Sequence, residues 1–397
     1  MGIIGTPFAT LRVLTLNAWG LPFAKRKSQR MRNIGAELAR GNYDIIGLQE
    51  IWDTKDLTPI LAGACASGIQ YHHYFSSGLV GSGLAILSRY PIREVDFRRF
   101  RLIGSAETCY HGDYFAGKGI GFARVQTPFA EVDVYVAHTI AQYHEDDADG
   151  YKAHRAAQHY EMARYITTQS PTNPVIVLGD LNTRPDQFGH RLFKSLTGLT
   201  DCYESLHPYH EGITYIAQNP LLGDAIPPSR LDYVFARNGA EVALSPVAAE
   251  ITFQPPAGSS TNESTAPYSD HFGVAARLKI GDSGGAVIIS PREKRAALTE
   301  LLAVLRAGLK EAQARRRAHT RKLGLGAGST LPVGLAGQLV SKWLACVVMP
   351  LVILYTLIHI LFAYLTVPQE IGDLEAFVGE VDLQVKTLAI NQVPEWK

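Results

Sequence analysis

The chain has 397 residues, 46% of them hydrophobic, and a formal net charge of +1. That length and apolar content suit one large domain or two ordinary ones and exclude wholesale disorder. A near-neutral balance lacks the basic footprint that grips a phosphate backbone, so no nucleic-acid partner is expected. The four cysteines (Cys65, Cys109, Cys202, Cys346) contain no CxxC pair and predict neither a zinc site nor a disulfide framework.

The N-terminal tail, residues 1–10, lacks the basic n-region of a secretory signal. Its Gly2 and Thr6 match the M-G-x-x-x-[ST] myristoylation pattern. Apolar runs then predict strands at Leu11–Leu16, Asp44–Leu48, Leu84–Ser88, Gly119–Val125, Val132–Ala137, Val175–Leu178, Asp232–Ala236 and Gly273–Ile280. Helical composition marks Ser28–Arg40, with Ser28 as N-cap and Gly41 as stop, and Lys152–Thr168. Strands separated by helices and long loops, without a strict βαβ rhythm, suggest mixed sheets with helices outside. A turn-rich loop covers 253–267, and IGDSGGAV closes this domain, 11–284.

A basic amphipathic helix and linker follow, residues 285–330. Leu298, Leu301, Leu302, Leu305 and Leu309 form its apolar stripe, which suits packing on the domain at least as well as lying on a membrane. Gly324–Gly328 is expected to break it. Residues 331–367 read as a membrane region whose core, 343–367, carries no charged side chain but His359. At ~1.5 Å per residue that core spans ~37 Å, enough for a hydrocarbon layer of ~30 Å. Leu331–Val340 leaves a second, shorter span open. The basic run Arg315–Lys322 is expected in the cytosol with the large domain and suits anionic lipids. The acidic tail, 368–397, lies across the membrane for one span and returns for two.

Six polar islands sit at strand edges: Asn17, Glu50, His138, Asp180 with Asn182, Asp232, and Asp270 with His271. A carboxylate ending a buried strand needs a partner or a cation. Oxygen donors of this kind suit Mg²⁺, which keeps waters for substrate. His271 next to a carboxylate suits a general base, with Asp232 to fix its tautomer. His138 is a donor to a phosphoryl oxygen. The loop HGDYFAGKG, 111–119, has GxxxxGK spacing but Gly119 where a nucleotide-binding loop has Ser or Thr; it offers Asp113 and Lys118 to a substrate instead.

The order N…QE…H…GDLN…LDYVF…SDH over residues 11–280 resembles the endonuclease/exonuclease/phosphatase superfamily. NAWGLP, LQEIWD, HGDYFAGKG and GDLNTRPD resemble the neutral sphingomyelinases and the fungal inositol phosphosphingolipid phospholipases C. The resemblance implies an α/β (α+β) fold, the DNase I-like four-layer αββα sandwich, with a C-terminal helical membrane anchor. It implies Mg²⁺ on Glu50 with Asn17 and Asp270 nearby, and phosphate contacts from Asn182 and His138. Asp180 positions the water, His271 is the base, Asp232 orients it, and Asp113 and Lys118 match the glycine-lysine loop. Ile140 stands where relatives often have a second histidine. The implied activity is a membrane-anchored phospholipase C-type cleavage of sphingomyelin or an inositol phosphosphingolipid. The expected place is an intracellular membrane, the endoplasmic reticulum, with the catalytic domain facing the cytosol. A nuclease or inositol-polyphosphate phosphatase of the same fold, or an inactive membrane scaffold, are the alternatives. Tyr143, Tyr151, Tyr203 and Tyr215 suit either headgroup, choline or inositol.

Overall fold

The computed structural model describes residues 9–144, 149–215, 227–254, 268–282, 285, 289–339 and 342–390. Gly2 and Thr6, and most of the 253–267 loop, lie outside these residues.

Twelve strands form two six-stranded sheets. In the first, β1 (Thr10–Asn17), β2 (Ile45–Gln49), β3 (Tyr71–Phe75), β4 (Leu84–Ser88), β11 (Val242–Thr252) and β12 (Gly273–Asp282) run in the order β11-β12-β1-β2-β4-β3. In the second, β5 (Ile92–Arg99), β6 (Gly119–Gln126), β7 (Glu131–His138), β8 (Val175–Asp180), β9 (Thr200–Asp201) and β10 (Asp232–Arg237) run in the order β5-β6-β7-β8-β10-β9. Each sheet has one parallel pair at its heart, β1 with β2 and β7 with β8; the other pairings are antiparallel.

The central strands are apolar on both faces because both faces are covered. Val13, Ile45, Ile86, Val134, Val136, Ile176, Leu178 and Val234 fill the space between the sheets. At Gly47 the sheets close so tightly that an added Cβ would lie 2.7 Å from Cβ of Leu178. On the outer face of the first sheet lie α1 (Lys27–Arg40) and α2 (Thr54–Ala66), through Met31, Ile34, Leu38 and Ile60. On the outer face of the second lie α3 (Lys152–Gln169) and α4 (Phe188–Thr197). The small helix α5 (Cys202–Leu206) sits against β11. This is the four-layer αββα sandwich.

Three long helices follow. α6 (Pro291–Leu339) buries Leu298, Leu301, Leu302 and Leu305 against the outer face of the second sheet's helices, so the stripe packs on the domain. It runs unbroken through Gly324–Gly328, against expectation. Of these glycines Gly326 serves packing: a Cβ there would meet Oγ1 of Thr356 at 2.6 Å on α7 (Lys342–Leu361), while Gly324 and Gly328 face open space. α7 holds the apolar stretch and exposes Trp343, Val347, Leu351 and Leu354. Among the described residues one helical stretch, beginning at Cys346, is long and apolar enough to cross a membrane. A widened turn, Phe362–Thr366, leads into α8 (Val367–Ile390).

α8 docks back on the domain. Val367, Ile371, Leu374, Phe377 and Val381 are buried in the core that holds Tyr160 and Leu301. The guanidinium of Arg101 lies 3.6 Å from the Phe377 ring centroid and donates to Glu380 at 3.2 Å. Gln384 donates to the Tyr160 hydroxyl at 2.8 Å. The chain therefore leaves and regains the same body on either side of its apolar helix. Arg315, assigned from sequence to anionic lipids, is instead half-buried between Glu107 and Glu370, because the α8 acid and the loop acid converge on it. Arg317, Arg321 and Lys322 remain exposed.

Candidate active site

The strand directions put every polar island at one edge of the sandwich. β1, β2, β7 and β8 end there, in Asn17, just before Glu50, in His138 and in Asp180; β10 starts there with Asp232, and His271 precedes β12. His138 pairs in register with Asp180, and Asp180 with Asp232. A period-2 strand cannot aim such residues inward over its whole length, but its end can.

The side chains meet. Asn17 Nδ2 donates to Glu50 Oε1 at 3.1 Å and to Asp180 Oδ2 at 2.9 Å. Its Oδ1 accepts from the backbone N–H of Trp19 at 3.0 Å. Asp180 Oδ1 accepts from the N–H of Asn182 at 2.9 Å, and Asn182 Nδ2 donates to the Thr139 carbonyl at 3.1 Å. Glu50, Asn182 and Trp19 all take left-handed backbone conformations, with φ of 59°, 44° and 50°. Such strain in non-glycine residues persists where the surroundings over-determine it, and it gathers at functional sites.

His271 Nδ1 faces Asp232 Oδ2 at 2.7 Å, and its Nε2 lies 3.8 Å from Asp180 Oδ2. Burial alone lowers the His271 pKa, but Asp232, Asp180 and Asp270 outweigh it and hold the imidazole well above its usual range. His138 goes the other way. Burial first, then Lys118 and His271, push it well below the usual value, so the ring is neutral. Lys118 Nζ donates to His138 Nε2 at 3.0 Å and to the Thr139 carbonyl at 2.9 Å. That leaves the ring proton on Nδ1. Asp113 Oδ1 holds the same ammonium at 2.6 Å, and its Oδ2 accepts from the Tyr143 hydroxyl at 2.9 Å and from the N–H of Ala141 at 3.2 Å. The glycine-lysine loop is thus tied to the end of β7.

These groups line one pocket of about 290 Å³, shared by Glu50, Asn182, Asp270, His271, His138 and Lys118. Burial pushes Asp180 and Asp270 well above the carboxylate range; His271 opposes this in both, while Asp232 adds to it for Asp180 and Glu50 for Asp270. Asp232 Oδ1 is buried with no hydrogen-bond partner among the described residues. Crowded, under-neutralised carboxylates with an amide oxygen donor nearby fit a divalent cation. Asp180, Asp232 and His271 also present atoms within 4.8 Å of one another, but His271 Nδ1 already engages Asp232 Oδ2 there.

All ten residues named from sequence reach this pocket or its immediate support. Tyr143 and Tyr215 line it; Tyr151 stands behind it on His111 Nδ1 at 3.1 Å, and Tyr203 lies elsewhere, under Arg230. Ile140 is fully buried with its N–H on Gln158 Oε1, away from any headgroup. Sequence reading missed Trp52, whose Nε1 donates to Glu50 Oε2 at 3.4 Å. It also missed Arg30, 1% exposed, which donates to the carbonyls of Lys25, Ala18, Trp19 and Tyr268. The available signal was a charge at 30 on the stripe that continues through Ile34 and Leu38.

Residues 14–271 match the sequence profile described as the Endonuclease/Exonuclease/phosphatase family. The chain belongs to this family. Within it, the human protein named sphingomyelin phosphodiesterase 2 is 32% identical over 338 residues, covering 81% of this chain and 78% of the human one. The Saccharomyces cerevisiae protein named inositol phosphosphingolipids phospholipase C is 34% identical over 222 residues, 50% of this chain and 46% of the yeast protein. The fold is also that of sphingomyelinase C from Streptomyces griseocarneus, with a TM-score of 0.51 at 20% identity over 68% of this chain and 99% of that one.

Proposed function

We propose that this chain is a membrane-anchored phosphodiesterase of the phospholipase C type, cleaving sphingomyelin or an inositol phosphosphingolipid to ceramide and a phosphorylated headgroup. One observation carries the reading: a buried His–Asp pair, a lysine beside a neutral histidine, and under-neutralised carboxylates open into a single pocket on a chain with an exposed apolar helix. The human and yeast relatives carry names for these two reactions.

The carboxylates around His271 favour its imidazolium, so the active form is the one that has lost the Nε2 proton; that Nε2 then takes the proton of a water as its oxygen attacks phosphorus, opposite the ceramide oxygen. Asp232 fixes the tautomer that leaves Nε2 free and stabilises the imidazolium that forms. Asp180, 3.8 Å from that nitrogen, orients the water. Asn182 and His138 hold phosphoryl oxygens, and Lys118, fixed by Asp113, adds positive charge beside them. Glu50, with Asn17 and Asp270, would hold a divalent cation such as Mg²⁺, which when bound would supply positive charge to the phosphoryl group. The phosphorus–oxygen bond to ceramide breaks, the departing oxygen takes a proton from solvent water, and His271 returns the proton it accepted to solvent.

α7 crosses the bilayer as part of a hairpin with the end of α6, so that α8 and the catalytic domain share the cytosolic face of an intracellular membrane, the endoplasmic reticulum. The anchor keeps substrate and site on one surface and raises effective concentration. The test is one purified sample assayed on sphingomyelin, an inositol phosphosphingolipid, an abasic DNA duplex and a phosphoinositide. Turnover of a sphingolipid, and of neither of the last two, supports the reading; turnover of DNA or phosphoinositide alone ends it.

A further inference from the structure

Large apolar side chains that no described residue covers stand at the pocket mouth. Leu21, Pro22, Phe23, Val80 and Phe115 line the pocket, and Leu79 and Tyr110 are chain neighbours of the lining residues Val80 and His111. Phe23 is 86% exposed, Leu79 83% and Tyr110 78%; Val80 and Phe115 are exposed beside them. Monomeric proteins rarely gather such residues without a partner for them. The loops are braced against collapse. Gly117 N–H donates to the Gly81 carbonyl at 2.9 Å, and a Cβ on Gly78 would meet Cα of Gly117 at 2.7 Å.

Two further facts identify the partner. The turn Ala106–His111, which carries Tyr110, packs against Phe362–Thr366 at the foot of the apolar helix, and Glu107 in that turn holds both Arg315 and His319 of α6. The turn that carries Tyr110 is therefore held at the foot of the apolar helix. Lys25, exposed, follows Phe23 by two positions. An aromatic tip backed by an ammonium is the composition of a segment at the lipid–water boundary. The pocket, at about 290 Å³, has room for a phosphorylated headgroup and not for two acyl chains as well.

We propose that Phe23, Leu79, Val80, Tyr110 and Phe115 seat in the headgroup layer of the bilayer, so that the pocket opens onto the membrane and a lipid enters headgroup-first while its acyl chains stay in the bilayer. This rests on the lipid phosphodiesterase reading. The rim fixes how the catalytic domain lies on the surface, and the anchor fixes that it stays there.

The experiment uses the full chain in phosphatidylcholine vesicles with and without brominated acyl chains. Leu79→Trp and Tyr110→Trp each add one fluorophore, and Trp343 on the apolar helix, read as the parent's emission less that of Trp343→Phe because the parent has four tryptophans, is the internal reference. The added emission is expected to fall at least twofold with brominated lipid. Added emission that ignores bromine while Trp343 is quenched overturns the proposal and gives the rim to water or to a protein. In a second arm, Leu79→Asp, alone and with Tyr110→Asp, is expected to raise the surface concentration for half-maximal sphingolipid hydrolysis roughly tenfold. Hydrolysis of a monomeric short-chain substrate stays unchanged. An unaltered surface concentration in both variants also overturns it. Should the chain cleave no sphingolipid at all, the activity reading falls, and the quenching arm still decides the rim.

Discussion

Asp232 and His271 face each other at 2.7 Å from opposite sheets: Asp232 opens β10 of the second, and His271 precedes β12 of the first. Asn17 and Asp180, 2.9 Å apart, bridge the same seam. The two side chains meet only when the sandwich is closed, so their pairing depends on the integrity of the whole core.

That pairing sets the first expectation. Asp232→Asn keeps the shape but not the charge, and is expected to lower kcat about 100-fold with little change in KM. His271→Ala is expected to lose about 10²–10⁴. The double variant falls no further than His271→Ala, because the two act as a unit. Steady-state kinetics on a short-chain substrate measure this; additive losses would contradict it.

Arg30 holds the loop after Asn17 to the loop before Asp270 by four hydrogen bonds to backbone carbonyls, with its guanidinium 4.5 Å over the Trp19 ring. Arg30→Met leaves those carbonyls unpaired and is expected to cost about 3 kcal/mol or more of stability. Arg30→Lys folds but cannot fork to three segments at once, so divalent-cation affinity is expected to fall while the fold survives. Urea unfolding and calorimetric titration of the cation separate the two effects.

Glu161 gives a pH-dependent stability. Burial raises its carboxyl to about 7, only partly offset by Arg101, whose Nε lies 3.3 Å away. Between the unfolded value of 4.5 and about 7 the folded state binds more protons than the unfolded one, so stability falls as pH rises through that window. Below it the penalty is absent; above it the penalty is constant, roughly 3 kcal/mol. Glu161→Gln is therefore expected to raise the melting temperature at pH 8 and to leave it unchanged near pH 4. A gain of equal size at both pH values would contradict this.

The return of α8 to the domain fixes which side the C-terminus takes. In sealed vesicles, a tag appended to the C-terminus is expected to be digested by added protease together with the catalytic domain. A tag protected while the domain is digested would contradict the hairpin.

Much of this architecture was legible because the central strands are continuous apolar runs, such as Val175–Leu178, that stop at a polar residue. Elements lacking that contrast escaped. β5 is an edge strand with charges on both faces, and Glu94 is paired to Arg124 across it. β11 carries Pro246 at a register shift, and β3 has two adjacent histidines in place of alternation. α2 contains Pro59 and Gly63, which look like breakers. Gly63 in fact lets α1 approach so closely that a Cβ there would lie 1.8 Å from the Gly35 carbonyl. Helix N-capping failed similarly: α1 begins after Arg26 in a left-handed conformation, not at Ser28. At the site, motifs gave the ionisable residues, since few other positions explain a carboxylate at a strand end. They gave no sign that Lys118 would occupy the Nε2 of His138, or that Arg315 would be consumed by Glu107 and Glu370. Those are pairings between segments far apart in sequence, fixed only by the packing of layers.

The most direct test of the central claim is release of ceramide from sphingomyelin and from an inositol phosphosphingolipid by the purified full chain, with Mg²⁺ and with chelator, for the parent, Glu50→Ala and His271→Ala. The expected result is Mg²⁺-dependent release by the parent on at least one lipid and a loss of 100-fold or more in both variants, with melting curves that keep the parent's cooperativity. Release that persists in chelator, or in either variant at the parent's rate, would contradict the account.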